Sequence, residues 1–156
     1  MSSRITPFLW FDGKAEEAAK LYCSIFPNSK ITQVVRSTVD TPGTPRGGVL
    51  TVGFTLNGLE YTAMNGGPMV SFNESVSFVV HCKTQEEIDH YWDRLTADGG
   101  APVACGWLKD KYGLRWQITP DLLLELIASK DSARAQRAMQ AMMKMVKIDL
   151  KTLENA

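Results

Sequence analysis

The stretch Phe8–Ile25 can be laid on Phe78–Leu95 at a constant offset of 70 residues without a gap, so the chain carries a copy of its own beginning. Phe8 matches Phe78 and Glu16-Glu17 match Glu86-Glu87; the rest of the match is pattern. In each copy a short apolar run precedes a stripe at i, i+3, i+4, i+7: Ala18, Leu21, Tyr22 and Ile25 in the first, Ile88, Tyr91, Trp92 and Leu95 in the second. That pattern predicts a strand leading into a helix with one buried face. A long unit present only twice points to a duplicated supersecondary module, because a solenoid needs three or more stacked repeats.

The segments between the copies complete the module. Ile5–Phe11 reads as a strand, Asp12-Gly13 as a turn, and Lys14–Phe26 as a helix stopped by Pro27-Asn28. Strands follow at Lys30–Thr38 and Val49–Leu56, flanking a Pro- and Gly-rich loop at 40–48, and Asn57-Gly58 predicts a two-residue hairpin into Leu59–Asn65. After the link Gly66–Glu74 the order repeats. Strand Val76–Cys82 leads to helix Gln85–Ala97, with Thr84 as N-cap and Gly99-Gly100 as stop. Weak strands come at Pro102–Cys105 and Trp107–Lys109, and a clear one at Leu114–Thr119. The expected fold is α+β, with modules at 5–65 and 76–119 in one domain spanning 1–156. The remainder, 121–156, reads as a helical tail. Its helix Asp131–Val146 carries the stripe Ala135, Ala138, Met139, Met142, Met143 and Val146, and is rich in methionine.

Composition excludes several function classes. Seventeen basic and seventeen acidic residues cancel, so the positive field of a nucleic-acid or anionic-membrane binder is missing. No run of eighteen apolar residues and no signal-peptide layout occurs, and a cytoplasmic protein is expected. Cys23, Cys82 and Cys105 are odd in number and form no C-x-x-C, which argues against a disulfide framework and a thiolate zinc site.

Side chains of a strand alternate between two faces. Phe8, Trp10, Leu50, Val52, Phe54, Leu56, Phe78, Val80, Trp116 and Ile118 make one wholly apolar face, expected under the helices. The opposite face carries Pro7, Leu9, Thr51, Gly53, Thr55, Ser77, Val79, His81, Arg115, Gln117 and Thr119. That mixture suits a concave pocket in which a few polar groups orient a small molecule among apolar walls. Thr51, Ser77, Arg115 and Gln117 are the candidate ligand-binding residues.

Four stretches resemble the PhnB-like proteins: Pro7–Ala18, Asn57–Pro68, Ser77–Cys82, and Cys105–Ile118 with its Asp110-Lys-Tyr-Gly-Leu-Arg-Trp-Gln run. That family is also labelled 3-demethylubiquinone-9 3-methyltransferase, within the vicinal oxygen chelate superfamily of glyoxalase I, extradiol dioxygenases and bleomycin-resistance proteins. The resemblance implies paired βαβββ modules forming a cup around a small-molecule site, and commonly a homodimer. It also brings the superfamily's metal positions onto Pro7, Ser77 and Gln117, with the fourth at Thr62, Ala63 or Met64. A catalytic divalent ion wants about three imidazole or carboxylate ligands. No metal is therefore expected.

His81 on a strand and His90 on a helix are not expected to converge on one ion, and Glu16-Glu17 and Glu86-Glu87 sit where carboxylates favour a helix N-terminus. A methyl donor such as S-adenosylmethionine usually needs a Gly-rich strand-to-helix turn; Gly47-Gly48, Gly66-Gly67 and Gly99-Gly100 supply none, so no cofactor is expected. Ser77 has no assured His partner and nothing in sequence activates Cys105. Two functions stay open. One is metal-free binding of a small molecule, the other an enzyme acting on an oxygen-rich substrate, glyoxalase- or dioxygenase-like or the methyltransferase of the family label. The tail's methionines, as adaptable contact residues, favour a homodimer.

Overall fold

In the computed structural model, which describes residues 5–156, the chain divides into two compact units, the first ending at Ser71 and the second running Phe72–Ala156. The first unit is strand β1 (Phe8–Phe11), helix α1 (Ala15–Ile25) and strands β2 (Lys30–Arg36), β3 (Val49–Leu56) and β4 (Leu59–Asn65). Its sheet has the order β1-β4-β3-β2, with β1 parallel to β4 and the other pairs antiparallel. The second unit repeats this with β5 (Ser77–Cys82), α2 (Gln85–Thr96), β6 (Ala101–Pro102), β7 (Trp107–Lys109) and β8 (Arg115–Pro120), in the order β5-β8-β7-β6 with β5 parallel to β8. Each unit is thus βαβββ, as the repeat implied. The tail adds three helices, α3 (Asp121–Ile127), α4 (Ser132–Met142) and α5 (Leu150–Glu154). Among the described residues no helix is long and apolar enough to cross a membrane.

Local chemistry accounts for the element boundaries. Asn57 and Gly58 have φ of 47° and 82°, the two positive values a type I′ hairpin requires, and the β3–β4 register closes on them at Leu56↔Leu59. The Thr84 hydroxyl accepts from the Glu87 amide at 3.3 Å while the Glu87 carboxylate accepts from the Lys83 amide at 2.6 Å, reciprocal bonds that open α2. Helix α1 lacks such a cap of its own. Asn65, from the end of β4, supplies it: its Oδ1 accepts from the Ala15 amide at 2.8 Å and its Nδ2 donates to the Val49 carbonyl at 2.9 Å.

Each helix covers one face of its own half-sheet. Ala18, Ala19, Tyr22 and Ile25 of α1 are buried together with Val52, Phe54 and Leu56, and Ile88, Trp92 and Leu95 of α2 together with Val80, Trp116 and Ile118. Burying each large side chain contributes about 1.5–3 kcal/mol relative to leaving it in water.

The phase of β1 corrects the sequence reading. Leu9 and Phe11 are buried, while Phe8 is 57% exposed and Trp10 half-buried. Phe8 and Trp10 therefore lie on the open face and Leu9 on the helix side, opposite to expectation. The gap-free repeat is the cause. Three residues, Asp12, Gly13 and Lys14, join β1 to α1, but only Lys83 and Thr84 join β5 to α2. The helices correspond at an offset of 70 and the strands at 71, which pairs Leu9 with Val80 and Phe11 with Cys82.

The tail departs too. The expected helix to Val146 ends at Met142, and its stripe is split. Ala138 packs with Leu123, Leu126, Ile148 and Leu153, with Met142 against them, whereas Met139, Met143 and Val146 face solvent. Beyond α4 the backbone serves another purpose: the Met145 and Val146 carbonyls accept from the amides of Cys105 (2.9 Å) and Gly106 (2.8 Å).

Candidate functional site

The open face of the second half-sheet gathers three of the four candidate residues. Ser77 pairs with Arg115 and Val79 with Gln117 along parallel β5 and β8, and directly paired residues share a face. The Gln117 side-chain amide donates to the Ser77 hydroxyl at 2.8 Å. On the other side of β8, Trp107 pairs with Gln117 and Lys109 with Arg115. An indole, an amide, a hydroxyl and two cations thus stand on one sheet surface.

Arg115 is held by three hydrogen bonds to two partners. Its Nη1 donates to the Gly113 carbonyl at 3.0 Å, and its Nε (3.1 Å) and Nη2 both donate to Oε1 of Glu74. The Arg115 guanidinium, which donates to it, holds the Glu74 carboxyl below the usual carboxylate range. Farther along β5, His81 Nδ1 lies 3.2 Å from Asp121 Oδ1, at the start of α3. Cys82 points the other way, and burial pushes its thiol up to about 12, so it is a core residue rather than a nucleophile.

Behind this face Asp110 fixes the turn into β8. It is buried, its Oδ1 accepting from the amides of Tyr112 (2.9 Å) and Leu114 (3.1 Å) and its Oδ2 from the Trp116 indole (2.9 Å). The Asp110-x-x-Gly113 run is therefore a structural clamp that sets where Arg115 and Gln117 emerge.

Thr51, the fourth candidate, stands in the first unit, on the open face beside Met64. That unit has a mainly apolar pocket of about 210 Å³, lined by Trp10, Pro42, Leu50, Met64 and Met69 among others; Thr51 does not line it. The Trp10 indole donates to the Gly67 carbonyl at 2.8 Å, which fixes the ring. Sequence reasoning missed Trp10 through the phase of β1, and missed Trp107 and Glu74 because neither lies in a periodic run; Trp107 could have been found from its β7–β8 register.

The superfamily's metal positions shift with the corrected strand phase. At the offset of 71 the counterpart of Ser77 is Thr6, not Pro7, which falls in phase with the buried Leu9. Phe8↔Thr62 corresponds to Val79↔Gln117, so Thr62 stands for Gln117. The donors are thus two threonines, a serine and a glutamine, neutral oxygens without imidazole, thiolate or carboxylate. This set does not fit a divalent transition metal. Among the described residues no group of three or more His, Cys, Asp or Glu could hold an ion.

Paired βαβββ modules with β1 and β4, and β5 and β8, joined in parallel define the class: the glyoxalase and bleomycin-resistance fold of the vicinal oxygen chelate superfamily. Residues 3–119 match the sequence model of the 3-demethylubiquinone-9 3-methyltransferase family, and the chain belongs to that PhnB-like family. A putative 3-demethylubiquinone-9 3-methyltransferase, PhnB protein, from Bacillus cereus is 38% identical, with a TM-score of 0.68 over 76% of this chain and 99% of its own. At 16% identity, a Pseudomonas aeruginosa protein (TM-score 0.61; 76% of this chain, 98% of its own) and the fosfomycin resistance protein FosX of Listeria monocytogenes (0.51; 77% and 93%) share the fold. No curated protein matches the chain.

Proposed function

We propose that the protein binds an oxygen-rich small molecule on the open face of the second half-sheet, without a catalytic metal. The observation that carries this reading is the mostly buried Arg115 guanidinium on the same face as the Ser77–Gln117 pair and Trp107. A withdrawn cation with neutral hydrogen-bonding groups and an aromatic wall around it is a polar anchor inside an otherwise adaptable surface. The donor set at the superfamily's metal positions supports metal-free binding.

A thermal-shift survey of small carboxylates, diols and phenols against chelator-treated protein tests it. A ligand present at 100 times its Kd should stabilise the fold by about 2.7 kcal/mol. Arg115→Met should abolish that gain and chelation should leave it intact. Equal stabilisation of Arg115→Met, or loss of binding on chelation, sinks the proposal. One observation favours turnover as a second reading: Asp121 orients His81 on the open-face side of β5 as a carboxylate orients a general base. Consumption of a bound ligand, lost in His81→Gln, would select it.

We further propose a homodimer formed through the exposed stripe Met139, Met143 and Val146 of the tail. Light scattering should give about twice the 17.3 kDa chain mass. Met139→Glu with Met143→Glu should return it to one. A monomer at micromolar concentration with the native tail overturns the dimer.

A further inference from the structure

The group that already occupies Arg115 indicates what the site is shaped to take. Arg115 is 14% exposed at its side chain and Glu74 73%, so a withdrawn cation is met by a carboxylate reaching in from solvent. Both bonds from Nε and Nη2 fall on one oxygen, Oε1. A guanidinium binds a carboxylate best through two parallel bonds to two oxygens, and the Glu74 arrangement gives up half of that geometry. The acid comes from the segment between β4 and β5, where Asn73 Oδ1 accepts from the Ser75 amide at 2.9 Å and turns the chain at Glu74. An ion pair with so exposed a partner is held weakly, because water and salt screen it and the long side chain loses its freedom.

Around the guanidinium stand Lys109 and Trp107 on β7 and the Ser77–Gln117 pair. Displacing Glu74 would leave two cations facing the indole and the amide. We propose that the ligand is a small aromatic carboxylate, and that Glu74 holds the ligand's carboxylate position as an internal competitor until the ligand displaces it. This rests on the binding reading above. It adds the ligand's chemical class and a built-in threshold: affinity is lowered by the fraction of time Glu74 occupies Arg115.

Isothermal titration of the full-length chain with benzoate, and in parallel with inorganic phosphate, tests both parts. Glu74→Gln should bind benzoate about two- to sixfold more tightly than the native protein, the gain expected when a weakly held competitor occupies the site for about three-fifths to five-sixths of the time. Glu154→Gln, which removes an equal charge on α5, should leave the affinity unchanged, and Arg115→Met in the Glu74→Gln background should abolish binding. Equal affinity of native and Glu74→Gln protein, with Arg115 still required, overturns the competitor while the binding site stands. A similar gain in Glu154→Gln reduces the effect to net charge and also overturns it. Tighter phosphate than benzoate in Glu74→Gln overturns the carboxylate class. Absence of binding to every variant overturns the site and this inference together.

Discussion

Trp116→Ala is expected to cost about 4–6 kcal/mol of folding stability, a large share of the 5–15 kcal/mol that holds a domain of this size. The ring is 3% exposed and packs on Phe78 with centroids 5.5 Å apart. Removing a buried indole leaves a cavity worth about 3–5 kcal/mol. The substitution also removes the indole hydrogen bond to the buried Asp110 carboxylate, and losing a bond to a charged group costs about 1–3 kcal/mol more. The two losses share a site and overlap, hence about 4–6 kcal/mol rather than their sum. Trp116→Phe, which keeps most of the ring and loses the hydrogen bond, should cost about 1–3 kcal/mol. The neighbouring Gln117→Leu, on the open face, should stay within about 0.5–1 kcal/mol. Urea midpoints at constant slope measure all three. A larger loss for Gln117→Leu than for Trp116→Ala would mean that the faces of β8 are reversed, and the proposed site would fall with them.

Which parts of this architecture could be read from the sequence follows from how much each strand says about its own phase. β3, Val49–Leu56, alternates between large apolar residues and Thr or Gly, and Asn57-Gly58 fixes the register of β4; both strands run as expected. β8 alternates as plainly, with Arg115 and Gln117 between Trp116 and Ile118. β1 is Phe-Leu-Trp-Phe, apolar throughout, and has no alternation of its own. Its phase had to be borrowed from the repeat, and one extra residue in the Asp12–Lys14 turn reversed it. In the tail, the methionines continue a helical period past Met142, but the chain there turns its carbonyls to Cys105 and Gly106, a demand that helical periodicity cannot express.

The candidate site was legible to the extent that it lies on strands. Ser77, Arg115 and Gln117 come together because β5 and β8 are adjacent and parallel, as the βαβββ order implies. Glu74 is a loop residue, and its approach to Arg115 over 41 positions depends on a path no local pattern encodes. Asn65 left one faint signal, a polar residue at the end of a strand directly before Gly66-Gly67. Its side chain caps α1 from 50 positions away.

Gly66→Ala is expected to cost about 3–5 kcal/mol, more than overpacking of a side-chain core usually does. A Cβ at Gly66 would lie 2.1 Å and 2.2 Å from ring atoms of Trp10, and Gly43 runs so near that a Cβ built there would lie 2.1 Å from the Gly66 carbonyl carbon. The ring cannot simply retreat, because its Nε1 is bound to the Gly67 carbonyl at 2.8 Å and its strand is paired with β4. Relief of the clash therefore sacrifices that bond and moves the Asn65 carbonyl, which accepts from the Thr44 hydroxyl at 2.7 Å and ties down the 40–48 loop. Gly58→Ala supplies the contrast. It places a side chain at φ of +82° with Asn28 Nδ2 as its near neighbour at 3.4 Å, so only backbone strain of about 1–2 kcal/mol is expected. If the indole is the obstacle, Trp10→Leu should recover part of the Gly66→Ala loss, with a coupling of about 1–3 kcal/mol in a double-mutant cycle followed by urea unfolding. Additive losses would place the strain elsewhere than at the Trp10 ring.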